Sequence, residues 1–251
     1  MGKKQQRREV LLNLITEKGY VSLSETANAL DVSEQTIRRD FQALEALPHI
    51  KRTHGGLALV QPIAEGEYSR RQQSATQEKT ALAARVAKYI QDGASIFLDS
   101  GTTSEAIALA LLSRNNLKVM TYSIRVASRF LDRSDMTVAI PAGIVRLEDG
   151  AIIGPYDDEF TNQFRFDIAV VAISGMDEGG RLSDNDLFEV KRVQAAMRQA
   201  DKTLLLLTSD KVGAKGLFEL CHLKDIDLLA AEEQTLTKLN GLLATTKIEL
   251  L

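Results

Sequence analysis

The sequence predicts an α/β protein in two parts: a small helical head with a β-hairpin, and a larger body on a mostly parallel sheet. Three observations lead there. The first sixty residues run helix, helix, tight turn, helix, hairpin. Residues 60–76 (VQPIAEGEYSRRQQSAT) are polar, hold Pro and Gly, and lack a hydrophobic period. From residue 77 onward, near-continuous apolar runs alternate with segments of helical period. Apolar runs without polar alternation belong to strands covered on both faces, as in parallel sheets packed by helices. The expected boundaries are 1–58 for the head, 59–76 for a linker and 77–251 for the second domain.

In the head, QQRREVLLNLITEK (5–18) places Val10, Leu11, Leu14 and Ile15 on one helical stripe, with Gly19 as the stop. Ser22 followed by Glu25 has the capping-box pattern and starts a helix through Leu30. Asp31-Val32 is a short turn, Ser33 an N-cap, and 34–46 a third helix that Pro48 ends. HIKRTHGGLALV reads as two strands around Gly-Gly. This order is that of a winged helix-turn-helix.

In the second domain, EKTALAARVAKYI is a helix, ASIFLDS a strand and SEAIALALLSR a helix after the turn GTT. LKVMTYS, IRVASRFLD and MTVAIPAG follow as strand, helix and strand. FDIAVVAISGMD reads as one long apolar strand, LFEVKRVQAAMRQA as a helix, and KTLLLLTSD and LLAAEE as strands. QTLTKLNGLLAT is a helix and TKIELL a last strand.

Composition narrows the function classes. The chain has 251 residues, 44% hydrophobic and 26% charged, ordinary for a globular protein. No run approaches the roughly 18 apolar residues of a membrane span, and MGKKQQRREV leads into no secretory h-region, so a cytoplasmic protein without a membrane partner is expected. The lone Cys221 excludes an internal disulfide. Neither it nor His49, His54 and His222 form a metal-ligand pattern, and no metal or cofactor is expected. The net charge of −3 is unevenly spread. Residues 1–56 carry nine Lys and Arg against seven Asp and Glu, the rest 22 against 27. A nucleic-acid footprint must therefore be local to the head.

On a wheel of the third helix, Ile37, Phe41 and Leu44 form the core stripe. Measured from Ile37 at about 100° per residue, Arg39 lies near 200°, Gln35 near 160° and Gln42 near 140°, all opposite the core. Arg38 and Thr36 fall on the two flanks. Arginine reads guanine and glutamine reads adenine with paired hydrogen bonds, so Gln35, Arg39 and Gln42 are candidate base readers. Thr36 and Arg38 suit phosphates, which position a helix without carrying sequence information. Lys3, Lys4, Arg7 and Arg8 near the first helix, and Lys51, Arg52 and His54 on the hairpin, extend this surface. A solvated charged face is the alternative for each residue alone; the combination favours double-stranded DNA.

SETANALDVSEQTIRRDFQALE followed by KRTHGG closely resembles the N-terminal module of DeoR-type bacterial transcriptional repressors. The resemblance continues through DSGTTSEAIALALL, GAIIGP, ISGMD and DKVG and so spans essentially the whole chain; in detail it is similar to the branch containing the glycerol-3-phosphate regulon repressor. It implies a repressor of carbohydrate or polyol catabolism that binds an operator and is relieved by a small phosphorylated carbohydrate or polyol. It also implies a C-terminal domain of phosphosugar-isomerase-like fold. A two-fold operator calls for a homodimer or homotetramer. Relatives usually carry Asn within the segment Thr121-Tyr122-Ser123, Gly-Gly at Ala142-Gly143, and Asp where Thr208 stands. These departures bear on which effector is bound.

Independently of that resemblance, Ser100, Gly101, Thr102 and Thr103 stand between a buried strand and a helix start. Free N–H groups, a close-approach glycine and two hydroxyls there suit a phosphate, though tight packing accounts for such a turn equally. The P-loop and GxGxxG patterns are absent. Strand ends are where open α/β sheets bind ligands. Lys79 and Lys211 are candidate phosphate partners; Asp99, Asp184, Asp186 and Glu189 are candidate acceptors for ligand hydroxyls. Gly143 and Gly150 are candidate points of backbone approach. Each is also readable as a plain loop residue. The competing function is a phosphosugar isomerase-like enzyme carrying a DNA-binding head. It needs a base poised near neutral pH, and the sequence marks no activated carboxylate, so sensing is the expectation and catalysis is not.

Overall fold

The computed structural model describes residues 3–18, 20–45, 50–53, 55–59, 67–154 and 157–251. The chain divides into two compact units, 1–63 and 64–251.

The first unit contains α1 (Lys3–Lys18), β1 (Tyr20–Ser22), α2 (Leu23–Ala29), α3 (Glu34–Leu44), β2 (Ile50–Thr53) and β3 (Gly56–Leu59). The hairpin gains a third strand that the sequence did not announce: β1 pairs antiparallel with β3, giving the order β1-β3-β2. Gly56 makes this possible, because a Cβ there would lie 2.3 Å from the Val21 carbonyl oxygen. Leu11, Ile15, Val21, Ile37, Phe41, Leu44, Ile50 and Leu57 form one buried cluster. Ser33 caps α3 as expected, its Oγ accepting from the Thr36 N–H at 3.3 Å. The capping box at Ser22 does not form: its side chain faces Ser24 Oγ at 3.2 Å, and its carbonyl accepts from Thr26 Oγ1.

The second unit opens with α4 (Glu67–Gln73), inside the segment expected to be an unstructured linker. Tyr68 explains the difference: it is buried, and a single anchored aromatic holds a helix too short for its own periodicity to reveal. Then come α5 (Thr76–Tyr89), β4 (Ser95–Leu98), α6 (Thr102–Leu111), β5 (Lys118–Thr121), α7 (Ile124–Ser128) and β6 (Thr137–Ala139). A hairpin of β7 (Ile144–Val145) and β8 (Ile152–Ile153) leads to α8 (Asp157–Thr161). The chain continues through β9 (Phe166–Val171), β10 (Gly175–Met176), β11 (Arg181–Asp184), α9 (Leu187–Arg198), β12 (Ala200–Leu206) and β13 (Phe218–His222). It finishes with β14 (Leu228–Ala230), α10 (Glu233–Leu243) and β15 (Glu249–Leu250).

Seven strands form a sheet in the order β15-β14-β12-β9-β4-β5-β6, and every pairing in it is parallel. Alternate residues feed two cores. Ile96, Leu98, Ile168, Val170, Leu204 and Leu206 pack with α5 and α6, while Phe97, Ala169, Val171, Leu205 and Leu207 pack with α9 and α10. The expected single strand FDIAVVAISGMD breaks after Val171. Its end, β10, joins a separate antiparallel sheet of order β10-β11-β13. Among the described residues, no helix is long and apolar enough to cross a membrane.

The strand order reverses between β4 and β9: β5 and β6 lie on one side, β12, β14 and β15 on the other. Loops leaving the carboxyl ends of two such strands part in opposite directions and leave a crevice between them.

Candidate nucleic-acid interface and effector pocket

Burial along α3 follows the wheel. Ile37, Phe41 and Leu44 are buried; Gln35, Arg38, Arg39 and Gln42 are exposed, and Thr36 is half-buried with its Oγ1 2.9 Å from Ser33 Oγ. Gln35, Arg39 and Gln42 make no side-chain hydrogen bond or ion pair among the described residues, whereas Arg38 lies 3.7 Å from Glu34 one turn back. Arg52 is exposed on β2, 4.0 Å from Glu45. Lys51 pairs with Ala58 through the β2–β3 ladder, and His54 lies outside the described residues.

Asp40 is the residue the wheel overlooked. It is fully buried beside the core stripe and receives Arg7 Nε at 2.5 Å and Arg8 Nε at 2.9 Å. Burial raises its carboxyl, but the two guanidiniums outweigh that and hold it below the usual carboxylate range. Arg7 and Arg8, read from sequence as part of the DNA-facing charge, are thus committed to fastening α1 to α3. A charged residue three positions after Ile37, on the core-facing half of the helix, was the signal.

In the second unit, a cleft opens at the crevice between β4 and β9. It brings together Lys79, Asp99, Ser100, Gly101, Thr102, Thr103, Asp184, Glu189 and Lys211, all expected from sequence. Arg71, Asp149, Ala172, Ile173 and Ser174 complete it. The last three are the residues where the long apolar strand breaks. Gly101 holds φ +103 with open space where a Cβ would project, so the turn into α6 needs glycine for its backbone and not for packing.

Three cations line the cleft, Arg71, Lys79 and Lys211. Lys79 is buried, and its ammonium donates to the carbonyls of Arg71 (2.5 Å) and Ser74 (2.8 Å) and to Thr102 Oγ1 (3.1 Å). Burial lowers its pKa. Lys211 stands in the short turn Ser209–Lys211 after β12, 3.7 Å from Asp210. Glu78 fastens that turn to α5 by accepting from Ser209 N (2.8 Å) and Oγ (2.9 Å).

The carboxylates are organised by a residue that sequence reasoning missed. Arg146 is buried and donates to Asp149 Oδ1 (2.9 Å) and Oδ2 (2.6 Å), Asp186 Oδ2 (2.6 Å) and Glu189 Oε1 (2.6 Å). Ser100 Oγ reaches Glu189 Oε1 at 3.3 Å. Glu189 is pushed up to about 7 by burial and by the charges of Asp184 and Asp186, with Arg146 opposing. Burial, then the charge of Glu189, also raises Asp99 well above its ordinary value, and burial raises Asp184.

Three expected ligand residues lie outside the cleft lining. Asp186 caps α9, accepting from the Phe188 N–H at 2.8 Å, and pairs with Arg146. Gly143 serves backbone packing, since a Cβ there would sit 2.4 Å from the Ile153 carbonyl oxygen of the neighbouring strand. Gly150 likewise faces the Arg125 side chain, at φ +78. Cys221 is pushed up to about 12 by burial, which keeps its thiol protonated.

Residues 7–62 match the profile described as DeoR-like helix-turn-helix domain, and residues 74–233 match the DeoR C terminal sensor domain. The HTH-type transcriptional repressor CsqR of Escherichia coli K12 is 36% identical over 98% of this chain and 94% of its own length. The glycerol-3-phosphate regulon repressor of the same organism is 34% identical over 90% of this chain and 89% of its own. A solved ribose 5-phosphate isomerase A from Methanocaldococcus jannaschii matches 55% of each chain at 13% identity, with a TM-score of 0.41. With both of its units matched and repressors similar to it along nearly their whole length, the chain belongs to the DeoR family of helix-turn-helix transcriptional regulators.

Proposed function

We propose that this protein represses a carbohydrate or polyol catabolic operon and is released from its operator by a small phosphorylated sugar or polyol. The observation that carries the effector half is the mixed lining of the cleft, with Arg71, Lys79 and Lys211 beside Thr102 and the carboxylates of Asp149, Asp184 and Glu189 also facing it. A phosphate suits the cations, and a chain of hydroxyls suits the carboxylate acceptors. The exposed, unengaged Gln35, Arg39 and Gln42 support base reading by α3, with Arg38 and Arg52 on the phosphates. The repressor acts in the cytoplasm as a homodimer or homotetramer, since paired half-sites demand symmetry. Effector and operator binding oppose each other by an equal factor in both directions.

An isomerase reading draws on Glu189, whose raised value suits a general base. Its carboxylate is nonetheless engaged by Arg146 and Ser100, and the similar chains of matching length are named repressors. The deciding experiment is a thermal-shift screen of the whole protein against phosphorylated metabolites, followed by operator release with each hit. A stabilising compound that leaves operator binding untouched refutes the effector assignment, and isomerised product refutes the pure-sensor reading.

A further inference from the structure

We infer that Arg71 is the cation that takes the anionic group of the effector, so that the ligand is gripped by α4, the first helix after the DNA-binding unit. This rests on reading the β4–β9 cleft as the effector site. Arg71 lines that cleft beside the SGTT turn and Lys211. Its Nε is buried and has no hydrogen-bond partner, and no carboxylate lies within ion-pair distance of its guanidinium among the described residues.

That vacancy sets it apart from the other cations of the site. Lys79 spends its three protons on two carbonyls and the Thr102 hydroxyl. Arg146 is shared among three carboxylates. Lys211 has Asp210 at 3.7 Å. A buried donor left without an acceptor destabilises the free protein, and an incoming anion removes that penalty. The guanidinium fork also matches two oxygens of one phosphate or carboxylate, which an ammonium does not. The first N–H groups of α6 have no partners within their own helix, and the residues that carry them line the same cleft.

The backbone of α4 is fastened to the same turn. The Arg71 carbonyl accepts from Lys79 Nζ and from Thr102 Oγ1 at 3.3 Å. One turn earlier, the Tyr68 hydroxyl donates to Glu105 of α6, and the Arg125 guanidinium covers the Tyr68 ring at 4.5 Å from its centre. Anion binding by Arg71 therefore loads a helix already tied to the cradle at two points. The chain entering that helix comes from the unit that carries α3. Arg70, its neighbour, is exposed and lies outside the cleft.

The test is calorimetric titration of the full chain with inorganic phosphate, glycerol 3-phosphate and hexose 6-phosphates. It compares wild type, Arg71→Gln, Arg70→Gln and Lys211→Ala. Arg71→Gln is expected to lose about tenfold or more in affinity for whichever compound binds, with Arg70→Gln within about twofold of wild type. Full affinity in Arg71→Gln together with a loss in Lys211→Ala overturns the inference and leaves the effector pocket standing. Unchanged affinity in both, or no binding to the wild type, overturns the pocket and the inference together. If Arg71→Gln melts early, Arg71→Lys decides instead: reduced affinity supports the role of the fork, and wild-type affinity refutes it.

Discussion

On α3 the side chains pointing away from the core are left unengaged: Gln35, Arg39 and Gln42 bond to no other described residue. In the cleft, by contrast, most polar groups already hold one another, from Lys79 on three oxygens to Arg146 on three carboxylates. The tasks proposed for the two surfaces differ. A DNA reader meets a partner of fixed shape and benefits from donors that need not break a bond before docking. A sensor has to change state when its ligand arrives, and a network of mutually satisfied charges gives the ligand something to rearrange.

If that contrast holds, damage to the network should disturb stability most, and damage to the reading face should leave stability alone. Arg146→Ala is the severest case. It strands Asp149, Asp186 and Glu189 in a buried site, so the second unit is expected to lose about 3–5 kcal/mol. Differential scanning calorimetry of the whole chain should show its transition drop while that of the first unit stays. Equal loss in both transitions would break the contrast.

Arg39→Ala should leave both transitions in place and lower discrimination between operator and scrambled duplex by about tenfold. Arg38→Ala should weaken both duplexes alike and reduce the salt slope by about one. Binding curves at several salt concentrations separate the two; identical behaviour of both variants would refute their assignment to bases and phosphates.

Thr102→Ala removes a hydroxyl that receives Lys79 and reaches the Arg71 carbonyl. Operator affinity without effector is expected to stay within about twofold, while the effector concentration for half-release rises about fivefold. Unchanged release would detach the SGTT turn from sensing.

A separate effect is one of pH. Burial lifts Glu189 from an unfolded value near 4.5 to about 7, so the folded state keeps a proton that the unfolded state has lost. Between those values the native form binds more protons, and stability falls as pH rises. Glu189→Gln removes this contribution, so its stability relative to wild type should increase from pH 4.5 to 7 and then level off. A difference that is flat across that window, measured by urea unfolding, would mean Glu189 is ionised throughout.

Much of the architecture was legible because its signals are periodic. The α3 stripe Ile37, Phe41, Leu44 and the apolar runs of β4, β9 and β12 each declare their partner surface. The cleft was legible where a local pattern marks it, as at Ser100–Thr103. It was illegible where the partner is remote. Arg146 and Asp149 sit in a segment without pattern, and their meaning comes from Asp186 and Glu189, some forty residues on. Arg71 was hidden because α4 depends on Tyr68 reaching Glu105. Gly143 was misread because a glycine admitting a strand and one admitting a ligand look the same in sequence.

All seven strands of the main sheet run the same way, so their carboxyl ends share one edge, and the two apolar cores lie behind that edge. The segments that shape the crevice there, 99–103, 172–174 and 184–189, are connections, helix starts or, at Asp184, the end of the short strand β11. On the proposed reading of the cleft, retuning its chemical palate is a matter of editing those stretches together with Arg71, Lys79, Asp149 and Lys211, and an engineer seeking a biosensor for a different metabolite has a bounded library to build.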